Sequence, residues 1–200
     1  PQLQKENAIG VILGNGRFYT MRQNYKPYKI PTFGYPKLRL NLIIEYTDGS
    51  RQTIASDISW KLTTEGPIRS NNEYDGEEYD ARKELGDWNR TGYDDTNWIP
   101  AGRVSIPSGT LRAQMMPGMK VTESLKPVSI RKQGDKHILD IGQNMAGWLR
   151  IRIKGQAGDS IRLRFAERLQ ADGEIFTKNL RDAHCTDIYV VSGREPQDTT

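Results

Sequence analysis

The acidic residues between positions 73 and 80, in EYDGEEYD, form the densest set of groups in this sequence that could do chemistry. Glu73, Asp75 and Glu77 alternate along the chain, so a β-strand would place them on one face. Like charges on one face repel unless water screens them or a cation or basic group compensates them. Gly76 lies among them, and glycine within a strand indicates a bulge or a close approach of the backbone to a ligand. The stretch therefore predicts either a solvated, bulged strand or an oxygen-rich site for a cation or a sugar.

Motifs for other kinds of chemistry are missing from the sequence. It contains no glycine-rich phosphate loop, no nucleophile elbow and no zinc-binding pattern, and Gly14-Asn15-Gly16 is interpreted as a turn only. Carboxylate pairs for glycoside hydrolysis could be drawn from residues 73–80 or from Glu167 and Asp172. Sequence spacing does not define the through-space separation that this mechanism requires. We therefore expect no catalytic residue in this chain.

Composition and charge exclude several classes of function. The net charge of +4 arises from 29 Lys and Arg against 25 Asp and Glu, scattered without a dense basic block, so nucleic acid is not an expected partner. The longest apolar runs, at residues 9–13 and 42–44, are far shorter than the roughly 20 residues of a membrane span, so none is expected. The lone Cys185 excludes an internal disulfide and leaves the redox compartment open. The chain begins at Pro1 without a signal sequence, which we interpret as a processed or excised segment.

Short β-strands are the elements that must position the acidic stretch. Residues 8–14 predict a buried strand, and residues 37–46 alternate apolar and polar side chains before an Asp-Gly turn at residues 47–50, which is typical of a hairpin. The DDTNW segment at residues 94–98 predicts a capped turn with Trp98 buried.

A second series of strands begins after Lys126-Pro127. Alternating segments with their own turns occupy residues 128–191, and no long helical period occurs anywhere. Regularly spaced short strands of this kind predict an all-β fold made of two antiparallel β-sandwich, jelly-roll-like domains, residues 1–125 and 126–200. We expect Trp148 to be buried like Trp98, and no sheet to continue across the boundary.

Six segments of the sequence share a resemblance to one family, and they are GPI, YDGEEYDAR, YDDTNW, LRAQMMPGMKVTE, DIGQNMAGWLRIRIKGQAGDSIRLRFAERLQADG and NLRDAHCTDIYVVSG. Together they resemble the bacterial α-L-rhamnosidases of glycoside hydrolase family 78. The resemblance covers residues 7 to 193 and concerns the part of those enzymes that precedes the catalytic barrel. It implies a carbohydrate-binding jelly roll, incomplete at its N-terminus, followed by a β-sandwich that is incomplete at its C-terminus.

The resemblance also implies a ligand and a set of binding residues. The family's jelly roll binds L-rhamnose through calcium, so calcium is the expected ion and L-rhamnose-containing glycans are the expected ligands. Asp75, the backbone at Gly76 and the loop at Pro117 are the expected metal ligands. An aromatic ring would stack on the apolar face of the sugar. The expected carbohydrate-binding residues are Tyr74, Asp75, Gly76, Glu77 and Trp88.

The family's catalytic acid and base belong to an α/α-barrel further along the polypeptide. The resemblance therefore implies a noncatalytic accessory fragment whose parent enzyme hydrolyses terminal α-L-rhamnosyl residues, with the barrel as a partner in the same chain. A periplasmic or secreted location in a bacterium is expected. Two alternatives stay open, a structural spacer that binds no ligand and an independent glycosidase built on the β-sandwich.

Overall fold

The computed structural model describes residues 3–19, 34–106, 109–110, 112–194 and 197–199. Its regular structure there consists of short β-strands and two single 3₁₀ turns, Ala81–Lys83 and Lys178–Leu180. The predicted all-β fold class is confirmed. Among the described residues, no helix has the length and apolar character needed to cross a membrane.

The chain forms two compact units, each assembled from separate stretches of sequence. Unit 1 comprises Pro1–Ile106, Gly155–Arg164 and Asp182–Arg194. Its strands are β1 (Asn41–Glu45), β2 (Arg51–Ala55), β3 (Lys61–Leu62), β4 (Ile68–Asn72), β5 (Gly76–Asp80), β6 (Ile99–Pro100), β10 (Ser160–Arg164) and β11 (Thr186–Val190).

Unit 2 consists of Pro107–Lys154, Phe165–Arg181 and Glu195–Thr200. Its strands are β7 (Ser129–Gln133), β8 (Lys136–Asp140), β9 (Ile151–Ile153) and β12 (Gln197–Thr199). Strands β7 and β8 form an antiparallel hairpin, and β9 pairs antiparallel with β12. The backbone carbonyl of Gly173 accepts a hydrogen bond from Arg131 on β7, which fastens the turn at residues 171–174 to that hairpin.

The hairpin β1–β2 forms as the sequence predicts. Its strands pair in register from Asn41 opposite Ala55 to Glu45 opposite Arg51. Gly49 has φ of 82° in the turn, a conformation that glycine adopts without the strain of a Cβ. The Asp48 side chain accepts hydrogen bonds from the amide and hydroxyl of Ser50 at 2.8 and 2.6 Å, so the Asp-Gly turn is held by its own side chain.

A four-stranded sheet in the order β10-β11-β5-β4 is the centre of unit 1. Two of its three strand pairings, β10 with β11 and β4 with β5, are antiparallel, but β11 runs parallel to β5. Tyr79 of β5 and Tyr189 of β11 stack with their ring centroids 5.6 Å apart and their planes 4° apart. The buried residues of the unit lie on or beside these two strands, and they are Asp80, Ala81, Tyr189 and Val191.

This sheet crosses the predicted domain boundary. Strands β4 and β5 precede residue 125, whereas β10 and β11 follow it. The expectation that no sheet would continue across the boundary is therefore wrong. The cause is the pairing of β11 with β5, a long-range parallel contact that the periodicity of neither strand reveals.

Three other expectations differ from the structure. Residues 8–14 form no strand, and Ile12 is 65% exposed. The sequence also predicts two short strands, residues 111–116 and 119–125, around Pro117-Gly118, but the described residues 112–125 lack regular structure. Trp98 is only half-buried, and Trp148 is 57% exposed because its segment carries no strand and β9 begins only at Ile151. An apolar run becomes a buried strand only where another segment of the chain packs over it. The periodicity of the sequence does not show which segment that is.

Candidate functional site

The turn between β4 and β5 places the predicted site residues. The side-chain oxygen of Asn72 accepts hydrogen bonds from the backbone amides of Tyr74 and Asp75, each at 2.9 Å. Its amide nitrogen donates to Asp75 Oδ2 at 3.1 Å. Residues 73–75 therefore form a turn, and strand β5 begins only at Gly76. The prediction that Glu73, Asp75 and Glu77 share one strand face is wrong, because this Asx-type turn interrupts the alternation.

Asp75 fastens this turn to the start of β11. Its Oδ1 accepts a hydrogen bond from the His184 amide at 3.3 Å, and its backbone carbonyl accepts one from Thr186 at 2.9 Å. The carbonyl of Tyr74 likewise accepts from the Cys185 amide at 3.0 Å. Both carboxylate oxygens of Asp75 therefore have partners within the protein, and the side chain has a structural task here. Its assignment as a calcium ligand stays a prediction.

The backbone of β5 comes close to that of β11 at Gly76. A Cβ on Gly76 would lie 2.2 Å from the carbonyl oxygen of Thr186 and 2.7 Å from Asp187 Oδ1. Gly76 also has φ of 102°, which favours glycine. The backbone here approaches another strand of the same chain, and its approach to a ligand stays a prediction.

An open groove of about 450 Å³ lies beside the turn. Among the described residues that line it, none is aromatic, and five of the eight have an amide or carboxylate side chain. The groove is shallow, and its lining comes from the β4–β5 hairpin, from β11 and from an N-terminal segment. The lining residues are Gly14, Gly16, Asn71, Asn72, Glu73, Gly76, Glu77 and Asp187.

Glu77 and Asp187 bring two carboxylates to this groove. The backbone amide of Glu77 donates to Asp187 Oδ1 at 2.9 Å, which orients the Asp187 side chain. Burial raises the pKa of Glu77 above its ordinary value, a hydrogen bond from Asn71 opposes that shift, and the negative charge of Asp187 adds to it. The groove therefore contains a carboxylate that is easier to protonate than an exposed glutamate. Of the five predicted carbohydrate-binding residues, the structure places Gly76 and Glu77 in its lining.

The N-terminal segment Gly14–Gly16 forms one wall of the groove, a role that sequence reasoning missed. The Asn15 amide donates to Asn71 Oδ1 at 2.7 Å. Arg17 Nη1 donates to Glu73 Oε1 at 2.5 Å and to the Tyr74 hydroxyl at 2.6 Å. The hydrogen bond and charge of Glu73 raise the pKa of Arg17. The signal available in the sequence was the pair of glycines around Asn15, which permits a close approach as well as a turn.

The aromatic residues of the prediction have other contacts. A Cβ on Gly10 would lie 2.2 Å from Cζ3 of Trp88, so this ring packs directly on the Gly10 backbone. The Trp88 and Trp98 rings lie 6.5 Å apart, and Tyr93 meets Trp98 edge-on at 5.8 Å. Trp88 belongs to this aromatic cluster and is not among the groove-lining residues. Stacking of a sugar on Trp88 or Tyr74 stays a prediction.

The predicted metal ligands Asp75, Gly76 and Pro117 are divided between the two units. Asp75 and Gly76 belong to unit 1 and Pro117 to unit 2, where Pro117 is exposed. In the part of the chain that the structure describes, no three His, Cys, Asp or Glu side chains are grouped to hold a metal ion. The oxygen atoms of Glu77 and Asp187 are of the type that calcium prefers, but these two carboxylates alone leave most of its coordination positions to other ligands.

Two protein-family models match this chain, and several known proteins are similar to it. Residues 1–123 match the model of the alpha-L-rhamnosidase N-terminal domain, and residues 130–200 match that of the bacterial alpha-L-rhamnosidase concanavalin-like domain. An alpha-L-rhamnosidase of Streptomyces avermitilis is 40% identical over 169 residues, which is 80% of this chain and 16% of that protein. One from Formosa agariphila is 38% identical over 173 residues, 84% of this chain and 18% of the relative.

Solved structures show the same relationship. The alpha-L-rhamnosidase from Dictyoglumus thermophilum superimposes with a TM-score of 0.82 at 34% identity, covering 94% of this chain and 20% of that one. The Streptomyces avermitilis enzyme, complexed with L-rhamnose, superimposes with a TM-score of 0.78 at 36% identity, covering 83% of this chain and 16% of that one. This chain thus spans about a fifth of the length of the relatives it matches. With its family models, relatives and fold in agreement, the chain belongs to the α-L-rhamnosidase family and corresponds to the N-terminal region of those enzymes.

Proposed function

We propose that this chain is a noncatalytic, carbohydrate-binding region of an α-L-rhamnosidase and that the groove beside the β4–β5 turn takes an L-rhamnosyl unit. The parent protein would hydrolyse terminal α-L-rhamnosyl residues with a catalytic barrel elsewhere in its sequence. The observation that carries the proposal is the composition of the groove, in which amide and carboxylate side chains converge on one open surface. A periplasmic or secreted location in a bacterium belongs to the same proposal.

The groove fits a small polyol better than a flat apolar ligand. Asn71 and Asn72 offer amide groups that both donate and accept, whereas Glu77 and Asp187 offer oxygens that accept from hydroxyl groups. A monosaccharide presents adjacent hydroxyls that can donate and accept in this way. The lining lacks an aromatic ring among its described residues, so hydrogen bonds would contribute most of the affinity. Because the groove is open, most of these bonds compete with water, and we expect weak binding.

Calcium is part of the proposal as the ion that accompanies the sugar. Carboxylate and carbonyl oxygens are its preferred ligands, and calcium takes roughly six to eight of them. Glu77 and Asp187 have oxygens at the groove, while those of Asp75 are bonded within the protein. Sugar hydroxyls would therefore have to complete the coordination sphere. This arrangement implies that calcium and sugar bind together and that each is weak alone.

A structural spacer without a ligand is the second candidate, and one observation favours it. The strongest sequence signal for a site comes from Asp75 and Gly76. In the structure, the contacts of these two residues connect the β4–β5 turn to β11. An acidic turn can be retained for that purpose alone. The two candidates differ in whether the groove binds anything in solution.

Calorimetry with L-rhamnose separates the two candidates. We expect binding in calcium and a loss of at least about tenfold in affinity with a chelator or in Glu77→Gln, since one hydrogen bond to a charged group is worth about 1.5–3 kcal/mol. Glu78→Gln is the matched control, because Glu78 neighbours Glu77 on β5 but is not among the groove-lining residues. D-Mannose serves as the control sugar. A folded sample that binds no L-rhamnose with or without calcium would favour the spacer.

A further inference from the structure

One wall of the groove is a segment without regular secondary structure. Gly14 and Gly16 line the groove, yet residues 8–15 form no strand and Gly16 has φ of 45° in the turn that follows. A wall of this kind keeps its position only through contacts with a more ordered element. The nearest such element is the β4–β5 hairpin.

Two sets of contacts tie the wall to that hairpin. At one end the Asn15 amide donates to Asn71, and a Cβ on Gly14 would lie 3.0 Å from the Asn71 side-chain nitrogen. At the other end a single nitrogen of Arg17 donates to Glu73 and to the Tyr74 hydroxyl. Arg17 thus holds two consecutive residues of the turn with one guanidinium group.

We propose that Arg17 is a positioning residue that fixes the Gly14–Gly16 wall against the β4–β5 turn and thereby keeps the groove in the form that accepts its ligand. This inference rests on the proposed carbohydrate function of the same groove. Arg17 itself is not among the lining residues and acts through Glu73 and Tyr74. Because the Arg17 and Glu73 side chains are 55% and 34% exposed, salt weakens the contact, and the wall loosens as ionic strength rises.

The test compares Arg17→Gln with Arg51→Gln. Arg51 forms a more exposed ion pair with Glu45 on the β1–β2 hairpin, so its variant removes the same charge away from the groove. At saturating calcium we expect Arg17→Gln to bind L-rhamnose about two- to fivefold more weakly than the unchanged protein, the range that an exposed ion pair supports. Part of the salt dependence of the affinity should disappear in Arg17→Gln and persist in Arg51→Gln.

Hydrogen exchange provides a second readout that needs no ligand. Amides in residues 15–19 should exchange faster in Arg17→Gln, since the Asn15 amide is bonded to the hairpin and the Tyr19 amide to the Asn15 carbonyl. Unchanged exchange in these residues overturns the inference whether or not the protein binds sugar. Faster exchange with no loss of L-rhamnose affinity overturns the positioning role. Absence of L-rhamnose binding in the unchanged protein defeats the proposed function instead, and the exchange experiment still decides whether Arg17 holds the wall.

Discussion

The α-carbon of Gly76 faces the carbonyl oxygen of Thr186 so closely that a methyl group added to Gly76 would lie 2.2 Å from that oxygen. The opposing atom belongs to backbone, which cannot rotate away as the end of a flexible side chain can. Close approach at this point allows β11 to pair in parallel with β5 and to complete the central sheet. A glycine is therefore needed at position 76, because any side chain would clash with the backbone of β11.

We expect Gly76→Ala to destabilise the protein by more than about 2 kcal/mol, because it combines a left-handed backbone conformation with a clash against β11. Gly49→Ala is the control, since Gly49 has φ of 82° but nothing within 4 Å of its Cβ position. Its cost should be only that of the backbone strain, about 1 kcal/mol. Urea unfolding of both variants measures the difference, and equal losses would contradict the close contact.

Asp80→Asn should destabilise unit 1 by about 1–3 kcal/mol at pH 7. The buried carboxylate of Asp80 accepts three hydrogen bonds from Arg82, two from the guanidinium group at 2.9 and 2.8 Å and one from the backbone amide at 3.0 Å. Asp87→Asn is the control, because the Asp87 and Arg90 side chains are both 74% exposed and such a pair contributes little. Urea unfolding midpoints would show the contrast.

The stabilisation by Asp80 should depend on pH. The hydrogen bond from the Arg82 side chain lowers the pKa of Asp80 below its ordinary value of 3.8, against the opposing effect of burial. The folded state therefore favours the ionised form, and the stabilisation is present above pH 3.8 and lost as the pH falls through the lower folded value. The difference in unfolding free energy between the unchanged protein and Asp80→Asn should shrink below about pH 4. A constant difference from pH 7 to pH 3 would contradict this account.

Glu77 should show the opposite dependence. Burial raises its pKa above the ordinary value of 4.5, so the folded state holds the proton more tightly than the unfolded chain. The stabilisation by neutral Glu77 is thus present below pH 4.5 and lost as the pH rises through the raised value. Glu77→Gln, which is always neutral, should equal the unchanged protein near pH 4 and be the more stable of the two at pH 7. Urea unfolding in the presence of a chelator measures this, and lower stability of Glu77→Gln at pH 7 would refute it.

We predict that the chain does not hydrolyse an aryl α-L-rhamnoside. Glycoside hydrolysis requires an acid and a second carboxylate placed on either side of the scissile bond, and the resemblance implies that these groups belong to a barrel elsewhere in the parent enzyme. The assay is release of the aryl alcohol over many hours at high protein concentration. Turnover that disappears in Glu77→Gln or Glu167→Gln would instead establish an independent glycosidase.

The sequence predicts those elements whose partners lie nearby in the chain. The β1–β2 hairpin follows from alternation and turn residues, because each strand pairs with the next. The β5–β11 contact and the failure of residues 8–14 to form a strand depend on distant partners, which local periodicity does not encode.

The same limit applies to the site. The acidic stretch includes the β4–β5 turn, and Glu77 lines the groove beside it, whereas the binding role predicted for Glu77 stays a prediction. Asp187 and Arg17 were not found, since they are distant in sequence from the stretch that they contact. Asn72 bends the chain through its side-chain hydrogen bonds and so separates the three carboxylates. Its residue type, an asparagine shortly before a glycine, is the sequence signal for this turn.

The late position of β11 has a consequence for how the protein is made. Glu77 and Asp187, joined by a hydrogen bond in the finished sheet, are 110 positions apart, and a ribosome adding about 5–20 residues per second needs roughly 5–20 s to synthesise that interval. During this time the β4–β5 hairpin can form, but the outer edge of β5 has unpaired amide and carbonyl groups that invite pairing with other nascent chains. Slow initiation, which lowers the number of nascent chains that expose this edge at the same time, should therefore improve the yield of folded protein.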